Sequence, residues 1–369
     1  MRRFLLSGDG WPYLLVPFIP LAVVLDIAGA EPLLIFATSV LGVIPTAAMM
    51  GKATDELSTR SGPGIGGLLN VTFGNAPELI IAFFALNAGL QEVVKASLIG
   101  SVLGNMLLVL GASMLVGGIK HPKQTFDHTA AGVQAGMLLL ASIALIMPAI
   151  FQLVDGGGLP SPTAESKRFP VALEHMSVAV SLVLLGVYIA GLFFSLKTHR
   201  DLFNPVHGDE GEHREEPWTV KRSVISLAIA GVAVGVMSEI LVGSIEDASK
   251  SVGLSPFFVS LIIVAIAGNA AEHWVAVYFA HRNKMDLAVN IAIGSSAQIA
   301  LFVAPVLVLL SQFVGPFPLA LVFNGFEVGG VLLAVLIAAG ITRDGTSTWF
   351  EGVQLLAVYL VLGIVFFFV

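Results

Sequence analysis

The amino-acid sequence predicts an all-α polytopic membrane protein of about 11 transmembrane helices, built as one extra helix plus a 5+5 inverted-topology repeat. Three observations lead there. Of 369 residues, 56% are hydrophobic and only 12% charged, with a mean hydropathy of +0.91. The apolar residues fall in long blocks. A short motif, Gly-Asn-Ala-x-Glu, occurs at 74–78 and again at 268–272. Soluble domains carry about 25% charged residues, so this composition excludes an ordinary cytosolic enzyme. Low charge density and a net charge of −7 also exclude a nucleic-acid binder and a disordered chain. The absence of cysteine removes disulfides, thiolate metal sites and thiol nucleophiles together.

A span needs roughly 20 apolar residues to cross about 30 Å of hydrocarbon. Blocks of that kind lie at 11–29, 32–50, 64–88, 94–118, 129–153, 171–197, 222–243, 255–281, 286–311, 317–342 and 349–369. The first contains Pro12, Pro17, Pro20 and Asp26 and has no clean small-residue cleavage site, so it reads as a retained helix rather than a signal peptide. Glycine and proline, 39 and 18 residues, suit membrane helices that approach closely or break.

Lysine and arginine set the orientation. Fourteen of the 18 lie at the amino terminus or after even-numbered blocks, among them Lys197, Arg200, Arg214, Lys221 and Arg222. The other side holds Lys95, Lys167, Arg168 and Lys250. The positive side faces the cytoplasm, which places the amino terminus inside and the carboxyl terminus outside. The organisation read from this is an extra helix at 1–30, a first five-helix unit at 31–197, a cytoplasmic acidic linker at 198–221 and a second unit at 222–369. The linker carries His199, His207 and His213 with Asp209, Glu210, Glu212, Glu215 and Glu216.

The repeat rests on register. Gly74-Asn75-Ala76-Pro77-Glu78 in block 3 matches Gly268-Asn269-Ala270-Ala271-Glu272 in block 8, and at the same spacing Ile99-Gly100-Ser101 matches Ile293-Gly294-Ser295. Two motifs in register across nearly 200 residues imply duplication. Blocks 3 and 8 are five apart, so the copies run through the bilayer in opposite directions, as in many secondary transporters. Small-residue motifs also serve plain helix packing, but packing does not account for a glutamate in each copy.

Glu78 and Glu272 are the candidate centre, because a carboxylate inside a span costs on the order of 3 kcal/mol and is functional by default. Asn75 and Asn269 sit one helical turn before them on the same face. Pro77 has no N–H for the Phe73 carbonyl, and Gly74 and Gly268 weaken the helix at the same points, which predicts a broken helix in each copy. The ligand set is then two carboxylates, two amide oxygens, backbone carbonyls and the hydroxyls of Ser101 and Ser295, all oxygen. Such a set suits Ca2+, which accepts six to eight oxygens, over zinc or copper. With no lysine or arginine deep in a span, a cation must neutralise the pair. One Ca2+ does so, and so do two protons. If only neutral, loaded sites reorient, Ca2+ moves one way as protons move the other. Ca2+ and H+ are cargo in this reading, and no resident cofactor is expected.

At these residues the chain resembles the Ca2+/cation antiporter superfamily and, within it, the Ca2+/H+ exchanger family. The resemblance is carried by GNAPE at 74–78, GNAAEH at 268–273, GKATDE at 51–56, SEILVGSIE at 238–246 and GSSAQ at 294–298. It implies an eleven-helix fold, Ca2+ export driven by inward proton flow, Glu78 and Glu272 as shared Ca2+/H+ ligands, and support from Asn75, Asn269, Ser101, Ser295 and Gln298. Lys52 departs from an acidic first mouth, its repeat partner being Glu246. The sodium-coupled relatives typically carry an aspartate in the helix equivalent to block 9. Gly294–Pro305 and Gly100–Leu110 have no acid, which favours protons as counter-ion. A Na+/Ca2+ exchanger is the runner-up, and a divalent-cation channel a more distant one.

Other residues take second rank. His273 is a candidate proton relay, since imidazole titrates near neutrality in water, although one helical step of 100° equally turns it toward a neighbouring helix. Glu239, Glu246, Asp247, Asp55 and Glu56 are candidates for cation attraction at the two mouths, or charges left where solvation is cheap. Glu327, read as mid-span in block 10, and Asp26 in block 1 read as hydrogen-bonded structural acids. Gln298 occupies the repeat position of Gly104, so the site is expected to be asymmetric. A metalloprotease would need HExxH, and His273 and His281 lack those companions, so no enzyme is expected. The expected partners are Ca2+, protons and the lipid bilayer, with no nucleic acid. The short termini favour a prokaryotic plasma membrane.

Overall fold

The computed structural model describes residues 10–162, 168–199 and 218–369, without the side chains of 62–65, 67 and 71. Most of the expected linker, including Asp209, Glu210, Glu212, Glu215, Glu216, His207 and His213, lies outside the described residues.

The described chain is almost entirely helical. In order run a short apolar helix α1 (Trp11–Ile27), α2 (Pro32–Arg60), a bent pair α3a (Leu68–Gly74) and α3b (Ala76–Asn87), α4 (Gln91–Lys120), α5 (His128–Val154), α6 (Val171–Thr198), α7 (Val220–Ser251), α8 (Pro256–His281), α9 (Met285–Leu310), α10 (Gly325–Asp344) and α11 (Trp349–Phe367). Among the described residues nine of these are long and apolar enough to cross a membrane singly, and the α3 pair makes a tenth span if counted as one. Each apolar block in the sequence thus has a helical counterpart. α4 and α9 form the centre of the bundle, with 72% of the most apolar window of each buried in protein, against 22% for α6 and α11. The outer helices instead present Leu182, Val183, Ile189, Leu360, Val361 and Ile364 outward, as lipid-facing helices do.

Four features depart from the sequence reading. α2 does not stop near residue 50 but runs to Arg60, and α7 spans Val220–Ser251 rather than 222–243. At 29 and 32 residues, they are about 44 and 48 Å long. Their charged ends remain helical because one face stays packed, as Ala53, Thr54 and Leu57 on α2 and Ile245 and Ala248 on α7 show. Glu239 therefore lies more than three turns short of the end of α7, not near it. Asp26 is exposed at the end of α1 rather than buried within a span.

The third departure concerns the breaks. α3a and α3b meet at Asn75 with a bend of 42°, as Pro77 requires, and the Asn75 N–H turns back to the Phe73 carbonyl. No matching break occurs at Gly268, which lies inside a continuous α-helical stretch, Ala265–His281. Ala271 stands where the first copy has Pro77, so its N–H is available and the ladder closes. α8 carries its irregularity earlier, as a π-helical stretch at Val259–Val264. π-helical stretches also interrupt α4 at Gly104–Val109 and α9 at Ile299–Val303, next to the glycine-serine motifs.

The fourth departure is α10, which begins at Gly325 rather than 317. Residues 317–324 are non-helical, and Leu319, Leu321, Val322 and Phe323 are buried. Irregular backbone at membrane depth is tolerated only when protein satisfies its polar groups, and here side chains do so. Gln91 Nε2 donates to the Phe317 carbonyl (2.7 Å), Lys95 Nζ to Val322 O (2.9 Å), and the Leu319 and Leu321 N–H groups donate to Ser311 and Ser177 (2.8 and 2.9 Å). Lys95, 1% exposed, is also paired with Glu92 at 2.6 Å. Glu327 is in the first turn of α10, not mid-span. It accepts the Asn324 N–H while Asn324 accepts the Glu327 N–H, a reciprocal cap.

On the opposite face, β1 (Gln124–Thr125) pairs antiparallel with β2 (Thr346–Ser347) and ties the α4–α5 loop to the α10–α11 loop. Asp127 caps α5 there, accepting from the Thr129 and Ala130 N–H groups at 2.7 and 3.1 Å. Those bonds, the one from Ala130 foremost, hold its carboxyl below the ordinary 3.8. Since the folded form binds its proton more weakly, the cap contributes fully above pH 4 and is lost as pH falls below it. Asp127→Ala should cost about 1 kcal/mol at pH 7, with the deficit shrinking as pH falls below the ordinary carboxyl range, as read by thermal unfolding across pH.

Candidate cation-binding site

The bend at Asn75 places Glu78 in the first turn of α3b, where the helix N-terminus favours negative charge. Glu272 comes from α8, and the two carboxylates lie within electrostatic reach of each other. Gly268 faces Glu78, for a Cβ built on it would stand in ordinary contact with Glu78 Oε1, at 3.5 Å. Glu78 Oε2 is shielded from solvent and accepts no hydrogen bond, and Asn269 Oδ1 is in the same condition.

Hydrogen bonds link these helices to the central pair. Ser295 Oγ on α9 lies 3.2 Å from Asn75 Oδ1 and 3.3 Å from Glu272 Oε2, so its single proton serves one acceptor at a time. Asn269 Nδ2 donates to Ser101 Oγ on α4 at 3.1 Å and to the Ala265 carbonyl at 3.0 Å. Asn75 pairs with Ser295 as Asn269 pairs with Ser101, so exchanging the two halves of the chain exchanges the partners, although serine donates in the first pair and asparagine in the second. Gln298 breaks that correspondence by accepting from Asn75 Nδ2. Opposite it, Gly104 has no side chain, and the His273 ring lies 4.0 Å from where a Cβ would be.

Both glutamates, Ser295 and Gln298 line a cavity of about 870 Å3. It extends past Asp55, Glu56 and Lys52 on α2, Leu196 at the end of α6 and Asn290 near the start of α9, and so opens on the face of the β1–β2 tie. Beyond Glu78, toward the other face, only about 10 Å3 remains between Ser97, Leu98, Ser101, Val264 and Asn269, room for one water.

The structure therefore brings together Glu78, Glu272, Asn75, Asn269, Ser101, Ser295 and Gln298. It separates the second-rank candidates. His273 turns toward α4, where Nε2 lies 3.1 Å from Asn105 Oδ1, and it does not line the cavity. Glu239 and Glu246 are exposed on α7 away from the cavity, with Glu246 3.9 Å from Lys250. Glu56 is at the mouth, but its Oε2 accepts the Trp218 N–H at 2.8 Å, and the Trp218 ring lies under Arg222 (4.1 Å) and Lys52 (5.7 Å). Asp55 lies within electrostatic reach of Glu272. Asn105, Asn70, Asn290 and Gln134 were not singled out from the sequence. Each is an uncharged polar residue in or beside an apolar block, which gives a weak signal. Among the described residues no group of three or more acidic or histidine side chains gathers as a metal cluster, so the site is two carboxylates among neutral oxygens.

Fold and site together define a polytopic helical membrane protein with a carboxylate pair at the inner end of a one-sided cavity. The sequence profile of the sodium/calcium exchanger protein family matches residues 31–197 and again 222–368. The chain belongs to that family. It is 42% identical to a Ca(2+)/H(+) antiporter of Synechocystis sp., covering 96% of both chains, and 44% identical to the Ca(2+)/H(+) antiporter ChaA of Bacillus subtilis, over 95% of this chain and 96% of that one. Among solved structures, native YfkE superposes with a TM-score of 0.81 at 39% identity, over 97% of this chain and all of that one. An H+/Ca2+ exchanger CAX shares the fold, with a TM-score of 0.69 at 16% identity over 98% and 92%.

Proposed function

We propose that this protein exchanges Ca2+ for H+ by alternating access, with both ions competing for Glu78 and Glu272. The observation that carries the reading is the pair of half-buried, cavity-lining carboxylates with neutral oxygen partners, at the inner end of a cavity open on one side. Empty and ionised, the pair holds two negative charges that are costly to carry through a low-dielectric barrier. One Ca2+ or two protons cancel that charge, and a site that reorients only when neutral must exchange one for the other. The names of the relatives at 42 and 44% identity agree with this chemistry.

Alternating access draws support from the crossed Asn–Ser bonds, the double match of the family profile and the unequal spaces on the two sides of Glu78. A duplicated unit inverted in the membrane would form the closed side in the same way that it now forms the open one. Lysine and arginine bias assigns the open cavity to the cytoplasm, and the proposed location is a prokaryotic plasma membrane. The protein is a transporter in this reading, and no catalytic step is assigned to it.

The test is Ca2+ uptake into proteoliposomes under an imposed pH gradient, with and without sodium. Uptake that follows the pH gradient and ignores sodium is expected. Uptake that requires a sodium gradient would replace protons with sodium, and flux that needs no counter-ion gradient would make the protein a channel.

A further inference from the structure

The wall of the cavity holds a polar group that the two-glutamate reading leaves unused. Gln134 lies on α5, within a block that has no charged residue between 129 and 153. Its amide packs against Gly294 of α9, where a built Cβ would stand 3.5 Å from Nε2 and 3.8 Å from Oε1. Gly294 precedes Ser295, whose hydroxyl lies 3.3 Å from Glu272 Oε2. Gln134, Gly294, Ser295 and Glu272 line the same cavity.

Gln134 Oε1 is shielded from solvent and accepts no hydrogen bond. A shielded amide oxygen without a partner is costly, and native proteins rarely keep one without a reason. Glu78 Oε2 shares this condition, so two unpartnered oxygens, from α3b and α5, belong to residues that line the same cavity. An oxygen that has no donor in the protein is free to face a cation.

We propose that Gln134 is a specificity-determining ligand of the transported divalent cation, supplying a neutral oxygen on the cavity side of the glutamates. This rests on the reading that Glu78 and Glu272 hold the cation. A neutral oxygen raises the coordination number and leaves the charge count, and hence the exchange with protons, unchanged. Ca2+ takes six to eight oxygens at 2.3–2.6 Å in flexible geometry, whereas Mg2+ demands an octahedron at 2.0–2.1 Å and dehydrates reluctantly. An added amide on a flexible side chain therefore favours Ca2+ over Mg2+. The doubly protonated site has no use for it.

The experiment is equilibrium 45Ca2+ binding to the purified full-length protein, with Mg2+ as competitor, for wild type, Gln134→Leu and Gln134→Asn. Gln134→Leu should weaken Ca2+ binding about 10-fold and narrow the preference over Mg2+. Gln134→Asn, which retracts the amide by one methylene, should fall between. The competition of protons with Ca2+, measured as the ratio of half-inhibitory proton concentration to Ca2+ Kd, should move only through Kd. Thermal unfolding in Ca2+-free buffer shows which variants fold, and wild-type Ca2+ affinity and selectivity in either folded variant overturns the proposal. Should both variants fail to fold, Gln134 is a packing residue and the proposal falls. Because binding is read without a gradient, a Gln134 effect in a wild-type protein that does not couple to protons would overturn the exchange reading and leave the ligand. Unchanged binding in a proton-coupled protein would overturn the ligand alone.

Discussion

Glu272→Gln and Glu78→Gln should each reduce pH-driven Ca2+ uptake by about 100-fold or more while leaving the protein folded. Removing one carboxylate leaves a loaded site with one uncancelled positive charge, a penalty on the order of 3 kcal/mol inside the bilayer, which is about 100-fold. Stability should move the other way. Without Ca2+, the half-buried carboxylates are a liability, and the shielded Glu78 Oε2 has no hydrogen-bond partner to offset its desolvation. Glutamine is close in shape and uncharged, so each variant should unfold at the same temperature as wild type or higher in Ca2+-free buffer. The protection conferred by Ca2+, about 2.7 kcal/mol at a concentration of 100 Kd in wild type, should disappear. Thermal scans with and without Ca2+, beside proteoliposome flux, check both halves of this expectation. Retained uptake in either variant would remove the two-carboxylate mechanism.

Gly100→Ala should damage the fold itself. A Cβ at Gly100 would fall within 2.8 Å of Leu261 Cα and still nearer the Leu261 carbonyl, where α4 crosses the π-helical stretch of α8. Backbone cannot rotate away as a side chain does, so the helices must separate. Overpacking of this kind costs about 3 kcal/mol, which would lower the unfolding midpoint by roughly 5 °C or more. The displacement would also carry Ser101 away from Asn269 and weaken Ca2+ binding. Gly294→Ala, the same change at the matching motif position, meets only the Gln134 side chain at 3.5 Å or more and should be far milder. Gly363→Ala, with nothing within 4 Å, is the neutral control. Equal behaviour of Gly100→Ala and Gly363→Ala in thermal unfolding and monodispersity would refute the close crossing.

The helical membrane architecture and the central residues were legible because each rests on a strong local signal. Long apolar blocks mark spans, and a carboxylate within one stands out by its cost. What escaped the sequence reading has physical reasons too. α2 and α7 outrun their apolar blocks because hydropathy registers lipid contact, whereas their charged ends remain helical on packed faces and, for α2, beside a cavity. Residues 317–324 are apolar enough to pass for a span. Their backbone is instead satisfied by Gln91, Lys95, Ser177 and Ser311, partners that hydropathy does not contain. His273 shows the limit of adjacency, because one residue beyond Glu272 the helix already points at Asn105. The repeat pairs 75 with 269 and 101 with 295 by position, yet gives no hint that each asparagine is hydrogen-bonded with the other half's serine.

The proline at 77 and the alanine at 271 have a consequence for the energetics of turnover. In a perfectly duplicated exchanger a two-fold rotation in the membrane plane would interchange the inward- and outward-facing states, which would have equal free energy. Here one half bends at Asn75 and the other continues straight, and Gln298 faces no counterpart at Gly104. The degeneracy is therefore lifted. A state populated at fraction f weakens the apparent affinity on its side by 1/f, so the two membrane faces should show unequal half-saturation for Ca2+ even with identical ligands. The direction of net exchange is untouched, since the two ion gradients alone determine it. The asymmetry sets how readily each face is served.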